Sequence, residues 1–142
     1  MTITGPIVVI EDDRDDDDLI CTCISDNGFS NQLRRFKNGQ EALNYLHTTT
    51  EQPFIILADI MMQMLNGLEL LKRINADPCL HKKAIPFVFL TKAVSPEIIE
   101  EAFHLFAQGF FEKASNYPAQ KEQIKCILHY WKHCKHPNNI AA

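Results

Sequence analysis

The chain has 142 residues with a hydrophobic share of 46%, which predicts one domain over residues 1–142, with a core at about 7–135 and a short tail at 136–142. The net charge of −4 offers no basic surface for nucleic acid, and no apolar run approaches the roughly 18 residues of a membrane span. Residues 1–6 do not resemble a signal peptide, so we expect a cytoplasmic protein whose five cysteines are reduced thiols.

Strands and helices are predicted to alternate along the chain. Ile7–Ile10 is apolar and β-branched throughout, which is typical of a strand buried on both faces. The five predicted strands are Ile7–Ile10, Leu33–Phe36, Phe54–Ala58, Ile85–Leu90 and Gly109–Glu112.

Helical spacing and end signals predict five helices. Ser95-Pro96 is a typical helix start, and Pro78 is expected to lie past the end of its helix. The helices are Asp15–Asn27, one opened by Asn38, Gly67–Ala76, one opened by Ser95, and about Ala119–Lys135. The inner face of the fourth is predicted to carry Ile98, Ala102, Leu105 and Phe106.

This alternation predicts an α/β fold, because parallel strands are joined by helical crossovers that cover both faces of a sheet. We expect a doubly wound, five-stranded parallel sheet of flavodoxin-like type with five helices. Sites in such folds lie outside the carboxyl ends of the strands.

Reactive side chains follow four of the predicted strands. Glu11 and Asp12 follow the first strand, Asp59 the third, Thr91 the fourth and Lys113 the fifth. Clustered carboxylates favour a cation, and Mg²⁺ commonly takes one or two carboxylates with waters and phosphate oxygens. A carboxylate can also act as a nucleophile toward phosphorus. The set therefore predicts a site for phosphoryl transfer, in which Mg²⁺, Lys113 and Thr91 each bind a phosphoryl oxygen.

In these motifs the chain resembles the receiver domain of two-component response regulators, over about residues 7–131. The resemblance implies that Asp59 accepts a phosphoryl group from a histidine kinase or histidine phosphotransfer protein. It also implies Mg²⁺ bound by Asp12, Asp59 and the backbone carbonyl of Met61, with Glu11 acting through water.

The resemblance further implies a switch and an output surface. Thr91 would turn toward the phosphoryl group, and Phe110 would swing inward. A downstream protein would bind the face formed by the fourth helix, the fifth strand and the fifth helix. No enzymatic activity is expected beyond transfer to the chain itself and dephosphorylation.

Three residues depart from the family pattern. Gln63 and Ala114 stand where proline is usual, and Lys92 stands where a small residue is usual. We expect the Lys113–Ala114 bond to be trans with a displaced Lys113, or cis at a cost of about 3–4 kcal/mol.

These departures keep open an alternative function, a degenerate receiver that binds partners without phosphorylation. A haloacid dehalogenase-like phosphohydrolase is disfavoured because Met61 occupies the place of its second aspartate, and the acidic loop after the first strand disfavours a flavodoxin.

Two other polar clusters are interpreted as solvated surface rather than metal sites. One is the run Asp15–Asp18 at the start of the first helix. The other is a stripe on the last helix made of Cys126, His129, His133 and His136.

Overall fold

A computed structural model describes residues 4–135, so the predicted tail and His136 lie outside the described residues. The sheet is parallel throughout, with the strand order β2-β1-β3-β4-β5, as expected for a doubly wound fold. Its strands are β1 (Ile7–Ile10), β2 (Leu33–Phe36), β3 (Ile55–Ala58), β4 (Phe87–Thr91) and β5 (Gly109–Glu112).

Helices cover both faces of this sheet. They are α1 (Arg14–Asp26), α2 (Gly39–Thr48), α3 (Gly67–Ala76), α4 (Pro78–Lys83), α5 (Pro96–His104) and α6 (Tyr117–His133). α1 and α6 pack on one face around Ile7 and Val9, and the other four pack on the opposite face around Val8 and Ile10. The alternation of buried side chains along β1 therefore separates two cores.

No described helix has the length and apolar character needed to cross a bilayer. The five cysteines carry free thiols.

The prediction of five helices is one helix short, because α4 follows α3 directly. Asp77 ends α3, and its side chain also accepts hydrogen bonds from the backbone N–H groups of Cys79 and Leu80. Pro78 occupies the first turn of α4, where its missing N–H costs no hydrogen bond, and buried Leu80 anchors the helix. The output face predicted on the fourth and fifth helices therefore lies on α5 and α6.

The placement of Phe106 on the inner face of the fourth helix is wrong. α5 ends at His104, and Phe106 adopts a left-handed φ of 66° with 78% of its surface exposed. The Ala107 N–H bonds back to the Ala102 carbonyl, which closes the helix end. Glycine usually takes such a position because a Cβ there costs roughly 1–2 kcal/mol.

Replacing Phe106 with glycine should therefore stabilise the protein by about 1 kcal/mol, since the exposed ring loses little and the strain is relieved. Urea unfolding would measure the change. Phe103→Gly is the matched control, because this residue lies within α5 and the change should cost about 1 kcal/mol. Destabilisation by both variants would show that the Phe106 ring makes a stabilising contact.

Candidate phosphoryl-transfer site

The predicted site residues meet at the carboxyl edge of the sheet. Ile10 lies opposite Ala58, and Ala58 lies opposite Phe89, so β1, β3 and β4 end at the same edge. The residues that follow or end the strands there are Glu11, Asp12, Asp59, Thr91 and Lys113. The parallel register thus brings together groups far apart in sequence.

Asp59 is buried, with only 5% of its surface exposed. Its carboxylate accepts hydrogen bonds from three donors. Oδ1 accepts from the Thr91 hydroxyl at 2.5 Å and from the Met61 N–H at 3.0 Å, and Oδ2 accepts from Lys113 Nζ at 3.1 Å. Burial raises the pKa of Asp59. The Thr91 hydroxyl, the neighbouring Glu11 carboxyl, the charge of Lys113 and the Met61 N–H together outweigh burial, so the pKa of Asp59 is lowered overall. The structure therefore favours an ionised carboxylate, the form able to act as a nucleophile.

Lys113 reaches the site across a trans bond to Ala114, since residues 4–135 contain no cis peptide bond. The Lys113 N–H donates to the Thr91 carbonyl at 2.7 Å, and the Ala114 N–H donates to Gln123 Oε1 at 3.0 Å. Gln123 also donates to the Glu112 carbonyl at 2.6 Å. The side chain of Gln123 on α6 thus fixes this turn, and the trans bond leaves Lys113 Nζ within hydrogen-bond distance of Asp59.

The ammonium group of Lys113 has three carboxylate partners. Its side chain is 6% exposed and forms ion pairs with Glu11, with Asp16 at 3.1 Å and with Asp59 at 3.1 Å. Burial lowers the pKa of Lys113, but the surrounding carboxylates outweigh burial and raise it overall. Lys113 is therefore a fixed positive charge at the centre of the site.

Glu11 is 2% exposed and accepts from Lys113 through one oxygen and from the Asp13 N–H at 3.1 Å through the other. Burial is the main cause that raises its pKa to about 8; Asp59 adds to the rise and Lys113 opposes it. A second buried negative charge beside Asp59 is thus unfavourable without more positive charge.

The donor set fits Mg²⁺. Within the described residues, no group of three His, Cys, Asp or Glu side chains is arranged to hold a metal ion unaided. Mg²⁺ needs only one or two carboxylates, with carbonyl and water ligands completing the set. Asp12 is exposed beside a cleft of about 260 Å³ that Met61 and Gln63 also line. An open carboxylate at a cleft next to Asp59 therefore suits a largely hydrated cation.

The interpretation of Asp15–Asp18 as solvated surface is wrong for Asp16 and Asp17, which are half-buried. Asp17 and Asp18 form ion pairs with Arg35, and Asp16 pairs with Lys113. Of these four acids, Asp15 is the one that forms no ion pair with residues 4–135, and it is exposed. Helical position alone identifies the first turn as acidic, but not which acid points toward Lys113.

The residues predicted to form a switch lie close to the site. Thr91 is fully buried, and Phe110 is half-buried with its ring 5.8 Å from that of Phe89. Thr91 already contacts Asp59, so its hydroxyl can reach a group on Asp59 without a large movement. Lys92 is exposed and forms no ion pair with the described residues.

An apolar groove lies on the predicted output face, between α5, β5 and α6. Its volume is about 480 Å³, and its lining includes Phe103, Phe110, Tyr130 and Trp131. Phe103 is 51% exposed and Tyr130 is 63% exposed. The face therefore presents aromatic side chains to solvent, which is typical of an interaction surface.

The histidine stripe does not form a metal site within residues 4–135. The His129 ring packs edge-on against Phe29 with ring centroids 5.4 Å apart, and it stacks on His133 at 6.2 Å.

Comparison with known proteins agrees with this architecture. The model of the response regulator receiver domain family matches residues 7–125, so the chain belongs to that family. It is a receiver domain of the kind used in two-component signalling.

Among individual relatives, the probable methanogenesis regulatory protein FilR2 of Methanothrix harundinacea (strain 6Ac) is 26% identical over 129 residues, covering 88% of this chain and 82% of that protein. The phosphorylated cyanobacterial phytochrome response regulator RcpA is 25% identical with a TM-score of 0.82, covering 91% of this chain and 94% of its own. The Mn²⁺-bound response regulator Rcp1 is 21% identical with a TM-score of 0.80, covering 93% and 97% respectively. At that identity, the likeness to Rcp1 shows the fold alone.

Proposed function

We propose that this chain is a phosphorelay receiver that accepts a phosphoryl group on Asp59 from a histidine kinase or a histidine phosphotransfer protein. An Asp59 carboxylate oxygen attacks phosphorus, the P–N bond of the phosphohistidine breaks, and the histidine nitrogen takes the electron pair of that bond. No catalysis of other substrates is proposed.

The observation that carries this proposal is the set of donors around one buried carboxylate. A hydroxyl from Thr91, an N–H from Met61 and the ammonium of Lys113 all point at Asp59. Phosphoryl transfer requires mainly positioning and charge neutralisation, and these fixed donors supply both. RcpA, which has the same fold, was solved in a phosphorylated form.

A bound Mg²⁺ would neutralise charge on the phosphoryl oxygens and on the surrounding carboxylates. Asp12, Asp59 and the Met61 carbonyl are proposed as its ligands, with Glu11 acting through water. The pairing of Glu11 and Asp59 with a single lysine, and the exposed Asp12 at the cleft that Met61 also lines, support this assignment. Rcp1 was solved with Mn²⁺.

The proposed output is a change in binding at the apolar groove between α5, β5 and α6. Phe110 connects the core to this groove, because its ring contacts buried Phe89 and also lines the groove. Movement of Phe110 would therefore alter the surface offered to a downstream protein. No direct contact with nucleic acid or membrane is proposed.

Phosphoryl uptake tests the proposal directly. Incubation with acetyl phosphate and Mg²⁺ should increase the intact mass by one phosphoryl group, and chelation of Mg²⁺ should abolish the increase. A protein that gains no phosphoryl group under either condition would contradict it.

One observation favours a second function, a module that binds its partner without phosphorylation. Thr91 already contacts Asp59, and Phe110 already packs on Phe89, so the groove exists in this form of the chain. Once a partner is known, equal affinity for wild type with and without Mg²⁺ and acetyl phosphate would favour this function. A phosphoryl-dependent affinity would favour the first.

A further inference from the structure

Lys113 contacts one carboxylate that does not follow a strand. Asp16 lies in the first turn of α1, and its Oδ2 is 3.1 Å from Lys113 Nζ. The Asp16 backbone N–H donates to Asp13 Oδ1 at 3.1 Å, which caps the helix and fixes the position from which the side chain extends. Asp16 is half-buried, so water screens this ion pair less than it would screen an exposed one.

Neighbouring acids in the same helix do not share this contact. Asp17 and Asp18 are paired with Arg35, and Asp15 is exposed. Helix position and charge are therefore nearly the same for Asp15 and Asp16, but only Asp16 acts on Lys113.

This geometry has opposite consequences for a cation and for a phosphoryl group in the site. Asp16 offsets the charge of Lys113 and adds negative potential, which favours binding of Mg²⁺ to the nearby carboxylates. It also competes with a phosphoryl group for the lysine ammonium, and it repels the phosphoryl oxygens. The two effects have different signs because the two ligands have different charges.

We propose that Asp16 is a positioning residue for Lys113, which strengthens Mg²⁺ binding and weakens the hold of Lys113 on a phosphoryl group at Asp59. This inference rests on the proposed function, in which Lys113 binds a phosphoryl oxygen. Asp16 thereby stabilises the unphosphorylated site relative to the phosphorylated one.

The test compares Asp16→Asn with Asp15→Asn, which removes the same charge from the same helical turn. Mg²⁺ affinity is measured by calorimetry, and the affinity for beryllofluoride, a phosphoryl mimic, is measured at saturating Mg²⁺. We expect Asp16→Asn to weaken Mg²⁺ binding and tighten beryllofluoride binding, each about three- to tenfold, with smaller changes for Asp15→Asn.

A second measurement follows Lys113 itself. Its ammonium resonance, assigned by its loss in Lys113→Gln, should shift in Asp16→Asn but not in Asp15→Asn, and Asp16→Glu should partly restore the wild-type affinities. A purely structural role for Asp16 would move none of these quantities relative to the control.

Equal effects of Asp16→Asn and Asp15→Asn on both affinities and on the Lys113 resonance would overturn the inference. A change of the same sign for both ligands would also overturn it. Wild type that binds Mg²⁺ but no beryllofluoride would instead contradict the proposed function, together with the phosphoryl half of the inference. The Mg²⁺ affinities and the Lys113 resonance would still decide whether Asp16 acts on Lys113 and strengthens Mg²⁺ binding.

Discussion

Replacing Asp59 with asparagine should reduce phosphoryl uptake from acetyl phosphate below detection. The amide nitrogen and oxygen cannot form the acyl phosphate, and the change also removes a proposed Mg²⁺ ligand. The fold should survive, because asparagine has nearly the same shape and Lys113 retains Glu11 and Asp16 as partners. Intact mass after incubation with acetyl phosphate and Mg²⁺ measures the result.

Asp15→Asn is the control for loss of one negative charge near the site, and it should retain phosphoryl uptake. Asp12→Asn separates metal binding from nucleophilic attack, because it leaves Asp59 intact and should only raise the Mg²⁺ concentration required. If Asp59→Asn gains a phosphoryl group as readily as wild type, the acceptor is another residue.

Gly67→Ala should have the largest effect on stability among single-methyl additions near the site. A Cβ at Gly67 would lie 2.3 Å from the Asp59 carbonyl oxygen and 2.8 Å from the Phe89 ring. Backbone cannot withdraw as a flexible side chain can, so the start of α3 must move away from the end of β3. We expect a loss of about 3 kcal/mol in the free energy of unfolding, at the upper end of overpacking costs.

Gly109→Ala is the matched control, since a Cβ there meets nothing closer than Val88 Cγ1 at 3.4 Å. Urea unfolding of both variants measures the difference, and this control should change stability far less. Gly67→Ala should also slow phosphoryl uptake, because the strand end that carries Asp59 is displaced. Similar stability of the two variants would show that α3 can shift without cost.

The strands and their shared edge could be predicted because continuous apolar runs indicate buried parallel strands. Asp59, Thr91 and Lys113 each lie at the end of a run, so the parallel arrangement brings them to one edge without further information. The family match over residues 7–125 and the five-stranded parallel sheet confirm the predicted family and fold.

Features set by tertiary contacts could not be predicted in the same way. Gln123 fixes the turn at Ala114 from a helix that begins several residues later, and no local pattern connects the two. Pro78 is typical both of a position just past a helix end and of a first helical turn. Both apply here, because Asp77 ends α3 and also caps the start of α4. Phe106 continued the helical spacing, but α5 had already ended at His104.

The contact between Asp16 and Lys113 could not be predicted from the sequence for a related reason. Four consecutive aspartates look alike in sequence, and only the approach of Lys113 and Arg35 distinguishes among them. Charge patterning therefore indicated an acidic neighbourhood, whereas the assignment of each acid to a partner required coordinates.

The most direct test of the central claim is chemical trapping of the acceptor. Borohydride reduces an aspartyl phosphate to homoserine, so wild type treated with acetyl phosphate and Mg²⁺, then reduced and digested, should yield a peptide with homoserine at position 59. The conversion should disappear when Mg²⁺ is chelated. Homoserine at a different aspartate, or a phosphoryl group retained on histidine with Asp59 unmodified, would contradict the assignment of Asp59 as the acceptor.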